Sequence, residues 1–331
     1  MLARSGGGRP PARGCPARRC RDGAAPPTVR ACGERTMDVK RIDRIGMAVA
    51  DLEPHVALLE GLFGFATTRR TRDDAAGVER ALMAVPDTPD IEWEVAAPTR
   101  PDSYLQRFID GPLGPGLHYV RMRVPSLSAA VEDLRAAGIE PRSEQAGTPE
   151  RPVEEALMHG HGFQFRIRGP GGPEPRSGPP PAREGAVGIT AIDHLGHAHG
   201  DCDELAGWYR RVFGMRSLGR VTTSEFVQVV METATGQLRW ETMHPADDAS
   251  FVARFLERRG PAMHHIAFKV AEWDAAVSAC VAHGLQPFRE STGATDDGAR
   301  WADGFIHPRQ TGGVLVQFFW EERPGIWGRT S

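Results

Sequence analysis

At 331 residues the chain is long enough for about two domains, and an apolar share of 40% suffices for ordinary globular cores. A formal charge of −3 gives no electrostatic reason to expect nucleic acid or a membrane surface as a partner. No apolar run approaches the roughly 18 residues that a membrane span needs.

In chain order, residues 1–36 stand apart. They hold eight Arg against Asp22 and Glu34, a net +6, in a Gly/Pro/Arg-rich stretch that cannot build a core. The stretch lacks the continuous apolar run of a secretory signal. It reads as a disordered tail, or as an upstream translation start, because Met37 opens the domain-like stretch MDVKRIDRIGMAV. Cys15, Cys20 and Cys32 fall here with a spacing that matches no zinc pattern. Cys202 and Cys280, isolated in the remainder, fit a reducing cytoplasm. Beyond the tail, the expected organisation is a folded segment over 37–168, a Pro/Gly-rich linker over 169–189, a second folded segment over 190–322, and a tail over 323–331.

The two folded segments are copies of one another. IDRIGMAVADLEPHVALLEGLFGF from Ile42 aligns with IDHLGHAHGDCDELAGWYRRVFGM from Ile192, an offset of 150. The pairs Asp43/Asp193, Gly46/Gly196 and Asp51/Asp201 are shared. LHYVRMRV (117–124) then aligns with MHHIAFKV (263–270). Each segment also repeats internally. An alternating strand leads into a helix with apolar positions near i, i+3, i+4 and i+7, and three short strands follow. The unit is βαβββ and occurs four times, opening near Ile42, Leu117, Ile192 and Met263, with its helices ending near Gly64, Gly138, Gly214 and Gly284. In the third unit the later strands fall near Arg216–Val221, Phe226–Glu232 and Leu238–Met243.

The third unit opens with AIDHLGHAHG, which holds His194, His197 and His199. Strand alternation puts His194 on one face and His197 and His199 on the other. By the same parity His264 points away from His265.

This pattern resembles the vicinal oxygen chelate superfamily, which includes glyoxalase I, methylmalonyl-CoA epimerase, the extradiol dioxygenases and 4-hydroxyphenylpyruvate dioxygenase. The resemblance covers residues 40–168 and 190–322, and the phrases IDHLGHA, GPAMHHIAFKV and HPRQTGGVLVQF are similar to the epimerases. It implies an α+β fold of tandem βαβββ modules, four in total, forming two curved mixed sheets that can cup a divalent metal. The positions matching the metal ligands are His194, Glu241, His265 and Gln317. Imidazole, carboxylate and amide oxygen together suit a borderline or hard divalent ion, with two positions left for water or a bidentate substrate. His197, His199, His244, His264 and His307 are read as core or surface residues. The first segment offers Arg44, Glu94, Tyr119 and Arg166, or Gln164 if the last strand slips by two residues. Two cations cannot ligate a cation, so this segment is expected to be metal-free.

The resemblance implies a metal-dependent epimerase or isomerase. It would abstract a proton beside a chelated carbonyl through an enediolate, with zinc, cobalt, nickel or manganese as the ion. The implied substrate is a small molecule, either a valiolone-type cyclitol ketone or a methylmalonyl-CoA-like thioester. Relative to the epimerases, Glu and Gln are exchanged between pseudo-symmetric positions. Gln317 cannot act as a base, which leaves Glu241 or Glu225. Arg254, Arg258 and Arg259 could meet the phosphates of a CoA substrate. The alternatives are an iron-dependent extradiol or 4-hydroxyphenylpyruvate-type dioxygenase and a non-catalytic binding protein of the bleomycin-resistance kind. A cytoplasmic homodimer is expected, with neither nucleic-acid nor membrane partner.

Overall fold

The computed structural model describes residues 36–148, 151–171, 180 and 183–325. The tail expected over 1–36 lies outside the described residues apart from Thr36, as do 172–179 and 181–182 of the expected linker and residues 326–331. The first half runs β1 (Arg41–Ala48), α1 (Leu52–Gly61), β2 (Ala66–Asp73), β3 (Val78–Ala84), β4 (Glu92–Pro98), α2 (Tyr104–Ile109), β5 (Gly116–Arg123), α3 (Leu127–Ala136), β6 (Arg142–Thr148), β7 (Arg151–Gly160) and β8 (Phe163–Arg168). The second runs β9 (Ile189–Ala198), α4 (Cys202–Phe213), β10 (Arg216–Thr222), β11 (Phe226–Glu232), β12 (Arg239–Pro245), α5 (Phe251–Arg259), β13 (Ala262–Val270), α6 (Trp273–Ala282), β14 (Phe288–Ala294), β15 (Arg300–Ile306) and β16 (Leu315–Glu321).

Each half is one curved, mixed eight-stranded sheet. The strand orders are β2-β3-β4-β1-β5-β8-β7-β6 and β10-β11-β12-β9-β13-β16-β15-β14. Within each βαβββ unit the opening strand pairs in parallel with the closing one, as β9 does with β12 and β13 with β16. The two units of a half join through their opening strands, β1 against β5 and β9 against β13, both antiparallel. The shared aspartates explain where the first helix of each half starts. Asp51 accepts from the amide of Glu53, and Asp201 from those of Asp203 and Glu204, satisfying amides that the first turn leaves unbonded. Helices α2 and α5 have no counterpart in the βαβββ unit. They bury Leu105 and Val252 against the ends of the central strands, beside Ala48 and Ala198.

The central strands break simple alternation in the same way in both halves. Pairing between β1 and β5 shifts register between Ile42 and Arg44, so Asp43 is bulged. Pairing between β9 and β13 shifts between Ile192 and His194, so Asp193 is bulged. A second shift bulges His118 in β5 and His264 in β13. A bulge re-aims side chains and leaves backbone groups unpaired. Here the opposite half meets them: Gln237 accepts from the Ile42 amide at 2.7 Å and donates to its carbonyl at 2.9 Å, and Thr88 Oγ1 accepts from the Ile192 amide at 3.2 Å.

The halves share one core. Phe63 and Phe65, at the end of α1, pack on Phe268 of β13, with ring centroids 5.7 and 6.0 Å apart. Reciprocally, Trp208 and Phe213 of α4 pack on Phe165 of β8 at 5.6 and 4.9 Å. Each first helix packs on strands of its own sheet, α1 on β2–β4 and α4 on β11 and β12, and aromatic residues on it or just beyond its end reach the other half's sheet.

Beneath β1, the fully buried Asp43 holds two arginines. Arg121 Nε donates to it at 2.6 Å, and Arg123 Nε donates to its other oxygen. Burial raises the pKa of Asp43, but Arg121 and Arg123 outweigh burial and hold it below the ordinary 3.8. Asp43→Asn is expected to cost about 3–5 kcal/mol in urea unfolding, because it strands buried guanidinium charge. A depressed carboxylate pKa stabilises the fold above the unfolded-state value and loses that contribution as pH falls through the folded-state value. The gap between wild type and variant should therefore close below about pH 4.

Candidate metal centre

Four strands of the second half deliver one polar side chain each to the same point. The register sets this up: Gly196 of β9 lies opposite both Glu241 of β12 and His265 of β13, and Ala267 lies opposite both His194 and Gln317. A Cβ at residue 196 would lie 2.1 Å from the His265 ring, so only glycine leaves room for that imidazole. His194 Nε2 is 3.2 Å from His265 Nε2 and 3.2 Å from Gln317 Oε1. Glu241 Oε2 is 3.5 Å from His194 Nε2 and 3.7 Å from His265 Nε2. His194, Glu241, His265 and Gln317 are all buried.

The surrounding partners orient each donor atom inward. His194 Nδ1 donates to Asp193 Oδ2 at 2.8 Å, which leaves a lone pair on Nε2. Gln317 Nε2 donates to Asp303 Oδ2 at 2.9 Å, which turns Oε1 toward the cluster. His265 Nδ1 lies 3.0 Å from His264 Nδ1. The parity expectation for His264 fails here, because the bulge between Met263 and His265 brings adjacent histidines together. The same device lets Asp193 reach its own neighbour. The His264 ring is in turn packed by Phe251 and Phe255. Such outer partners fix the tautomer and raise ligand basicity in metal sites.

Lone pairs on two imidazole nitrogens, a carboxylate oxygen and an amide oxygen repel one another at these distances unless a proton or a metal ion lies among them. A proton is one answer. Burial disfavours a charged His194, but Glu241 and Asp193 overcome it and hold its pKa above the ordinary 6.5. His265 is driven well below that value by burial, His194 and His264. A metal ion is the other answer. With metal–nitrogen bonds of about 2.0–2.1 Å, ligand atoms sit about 3.0 Å apart at a right angle and about 3.4 Å apart in a tetrahedron. The observed separations fit that spacing, and so does the donor set.

The first half fills the equivalent place with its own charges. Register pairs Tyr119 with Gln164 and Arg121 with Arg166, as His265 pairs with Leu315 and Ala267 with Gln317, so Arg166 is the equivalent of Gln317. Arg44, at the place of His194, donates to Glu94 at 2.9 Å and also to Glu92. The Arg166 guanidinium lies 4.4 Å above the Tyr119 ring. Gly46 here makes room for Tyr119, as Gly196 does for His265.

Glu225 is not part of the cluster. It precedes β11, at the far end of that strand from Val230, the partner of Glu241, and it pairs with Arg289 at 3.1 Å at an exposed rim. Arg254, Arg258 and Arg259 each donate to a backbone carbonyl, those of Ala249, Arg254 and Leu113. His244 Nδ1 accepts from the Cys202 amide and His307 Nδ1 from the Arg309 amide, both local structural roles. Asp303 was not evident from sequence. It sits on β15 without a motif of its own, and burial pushes its pKa up to about 6 against the Gln317 hydrogen bond. Asp193 had a signal, the Asp43/Asp193 repeat, but alternation argued against its reaching His194.

The family model of the glyoxalase/bleomycin resistance protein/dioxygenase superfamily matches the chain twice, over residues 43–153 and 193–302. The chain therefore belongs to this superfamily. It is 28% identical to human mitochondrial methylmalonyl-CoA epimerase over 130 residues, 39% of this chain and 73% of that protein. In fold it is similar to a 4-hydroxymandelate synthase variant from Streptomyces coelicolor, with a TM-score of 0.67 and 16% identity over 86% of this chain and 93% of that one. It is also similar to a Mn(II)-bound glyoxalase from Novosphingobium aromaticivorans, with a TM-score of 0.57 and 13% identity over 86% and 83%.

Asp193→Asn should lower zinc affinity about 10–100-fold in a chelator competition with little change in unfolding midpoint. Gly196→Ala should lower it further by displacing the His265 ring. Gly46→Ala, at the pseudo-symmetric position, should cost stability and leave zinc affinity unchanged.

Proposed function

We propose that the chain is a divalent-metal-dependent epimerase or isomerase acting on a small carbonyl compound, either a cyclitol ketone or a methylmalonyl-CoA-like thioester. The observation that carries this reading is the convergence of two imidazoles, one carboxylate and one amide oxygen from four strands into a buried cluster. The sequence likeness to human methylmalonyl-CoA epimerase supports it.

His194, Glu241, His265 and Gln317 would hold one ion, for which zinc, cobalt, nickel and manganese are the candidates, the last being the metal of the glyoxalase neighbour. Bound there, a divalent ion supplies Lewis acidity toward a substrate carbonyl and acidifies the adjoining C–H. The chain's own residues supply the rest. Asp193, His264 and Asp303 hold the donors in place. Phe319 flanks His194 and Phe305 flanks His265. Of the two carboxylates considered as base, Glu241 faces the cluster, whereas Glu225 is engaged with Arg289 at the rim, so the proposal assigns proton transfer to Glu241. A cytoplasmic homodimer belongs to the same proposal.

The test begins with elemental analysis of anaerobically purified protein beside His194→Ala and His265→Ala. Near-stoichiometric zinc, cobalt, nickel or manganese in the wild type, lost in both variants while the fold survives, is the expected result. Wild-type protein should then exchange solvent deuterium into a candidate ketone or acyl-CoA, and Glu241→Gln should slow that exchange by about 10²–10⁴-fold. Iron together with oxygen uptake on catechols or keto acids would replace the proposal with the dioxygenase reading. Absence of any metal would leave a ligand-binding protein.

A further inference from the structure

The other two histidines of β9 and its exit meet the first half at a second cluster, on the seam between the halves. The β7–β8 hairpin turns through His161 and Gly162, with φ of +49° and +79°. Two consecutive positive φ values are those of a tight turn with both central residues left-handed. Gly162 is forced, because a Cβ there would lie 1.7 Å from the Pro261 carbonyl oxygen. His161 is a non-glycine residue in a conformation that few side chains adopt, although histidine is among those enriched there.

This turn is fastened to the second half. His197 Nε2 donates to the His161 carbonyl at 2.8 Å, so its Nδ1 accepts from the Tyr209 hydroxyl at 2.7 Å. Burial pushes the His197 pKa down to about 3, and the ring serves as an uncharged strut. A Cβ on Gly160 would lie 2.3 Å from the Trp208 ring, so the turn sits hard against α4. The His161 ring is thereby held with its Nδ1 3.1 Å from His199 Nε2. The Asp201 amide donates to His199 Nδ1 at 3.1 Å, and the Asp201 carbonyl oxygen lies 2.8 Å from the same nitrogen. The opposite nitrogen of the same ring, Nε2, faces His161 Nδ1. Glu204, in the first turn of α4, completes the group: one ligand atom from each of His161, His199 and Glu204 lies within 4.8 Å of the others.

We propose that His161, His199 and Glu204 form a second divalent-metal site, selective for zinc-class ions, that clips the two halves together. Two imidazoles and one carboxylate suit zinc, nickel or copper, whereas calcium and magnesium require more oxygen donors. The 3.1 Å separation of the imidazole nitrogens matches two ligands sharing one ion. His161 and His199 are half-buried and Glu204 is exposed, which leaves the remaining coordination positions to water. One ligand comes from the first half and two from the second. An ion here binds only the assembled molecule and adds to its stability by mass action.

Zinc itself is the probe, and the full chain is the sample. After dialysis against buffered micromolar zinc, wild type should hold two ions per chain, His265→Ala one, and His265→Ala combined with His199→Asn none. In the His265→Ala background zinc should still raise the unfolding midpoint, and adding Glu204→Gln should weaken that shift at least tenfold in zinc concentration. Zinc-edge anomalous diffraction from wild-type crystals needs no variant and should show a peak between His161 Nδ1 and His199 Nε2. No peak at a zinc concentration that fills the His194/His265 cluster would overturn the proposal. So would an unchanged zinc count in the His199→Asn double variant, or a seam ion that appears only at millimolar zinc. A seam peak with an empty His194/His265 cluster would uphold this site and count against the proposed function instead.

Discussion

Each sheet buries polar side chains on the inner face of its central strands, and buried charge must be compensated within reach. Both halves meet this constraint on the same backbone, with the same bulges and the same glycine at the crossing of three strands. The first half closes the account internally. Arg44 meets Glu92 and Glu94, Asp43 meets Arg121 and Arg123, and Glu155 meets Arg168 at 2.7 Å. The second half presents two imidazoles, a carboxylate and an amide oxygen to one point, with the His194 pKa held above 6.5 by Glu241 and Asp193. One half thus carries the Arg44 guanidinium where the other carries the His194 imidazole.

The first half nevertheless serves the second. Its α1 end packs on β13, the strand that carries His265, and Thr88 satisfies the backbone of the β9 bulge that aims Asp193 at His194. The second half repays this through α4 on β8 and Gln237 on the β1 bulge. The geometry of the His194, Glu241, His265 and Gln317 cluster therefore rests partly on contacts from the first half.

The fold was legible because it is written four times. Apolar spacing, a glycine after each helix and the offset between halves identify the βαβββ unit without reference to any contact. The donors were legible because each is one polar group on the inner face of a strand, at a position matched in the other copy. What alternation could not supply is the effect of an extra residue in a strand. Parity places Asp193 opposite to His194 and His264 opposite to His265, yet both pairs are hydrogen-bonded neighbours, since a bulge resets the parity at those residues. Asp303 was invisible for a different reason. Its role depends on the pairing of β15 with β16, a tertiary fact that no local pattern encodes. Helices α2 and α5 were outside the repeat rule because they join units and do not belong to one.

The histidines of β9 and its exit sort by partner more than by parity. His194 has a carboxylate behind it, which keeps its outer nitrogen protonated and its inner nitrogen basic. His197 has a carbonyl on one side and a phenol on the other, both ring nitrogens are spent, and burial keeps it neutral. His199 leaves the strand and turns Nε2 toward His161 of the opposite half, 3.1 Å away. Residue type is the same in all three cases. The chemistry differs because of what the second nitrogen of each ring is given to do, and that is set by the bulge, by α4 and by the β7–β8 turn in turn.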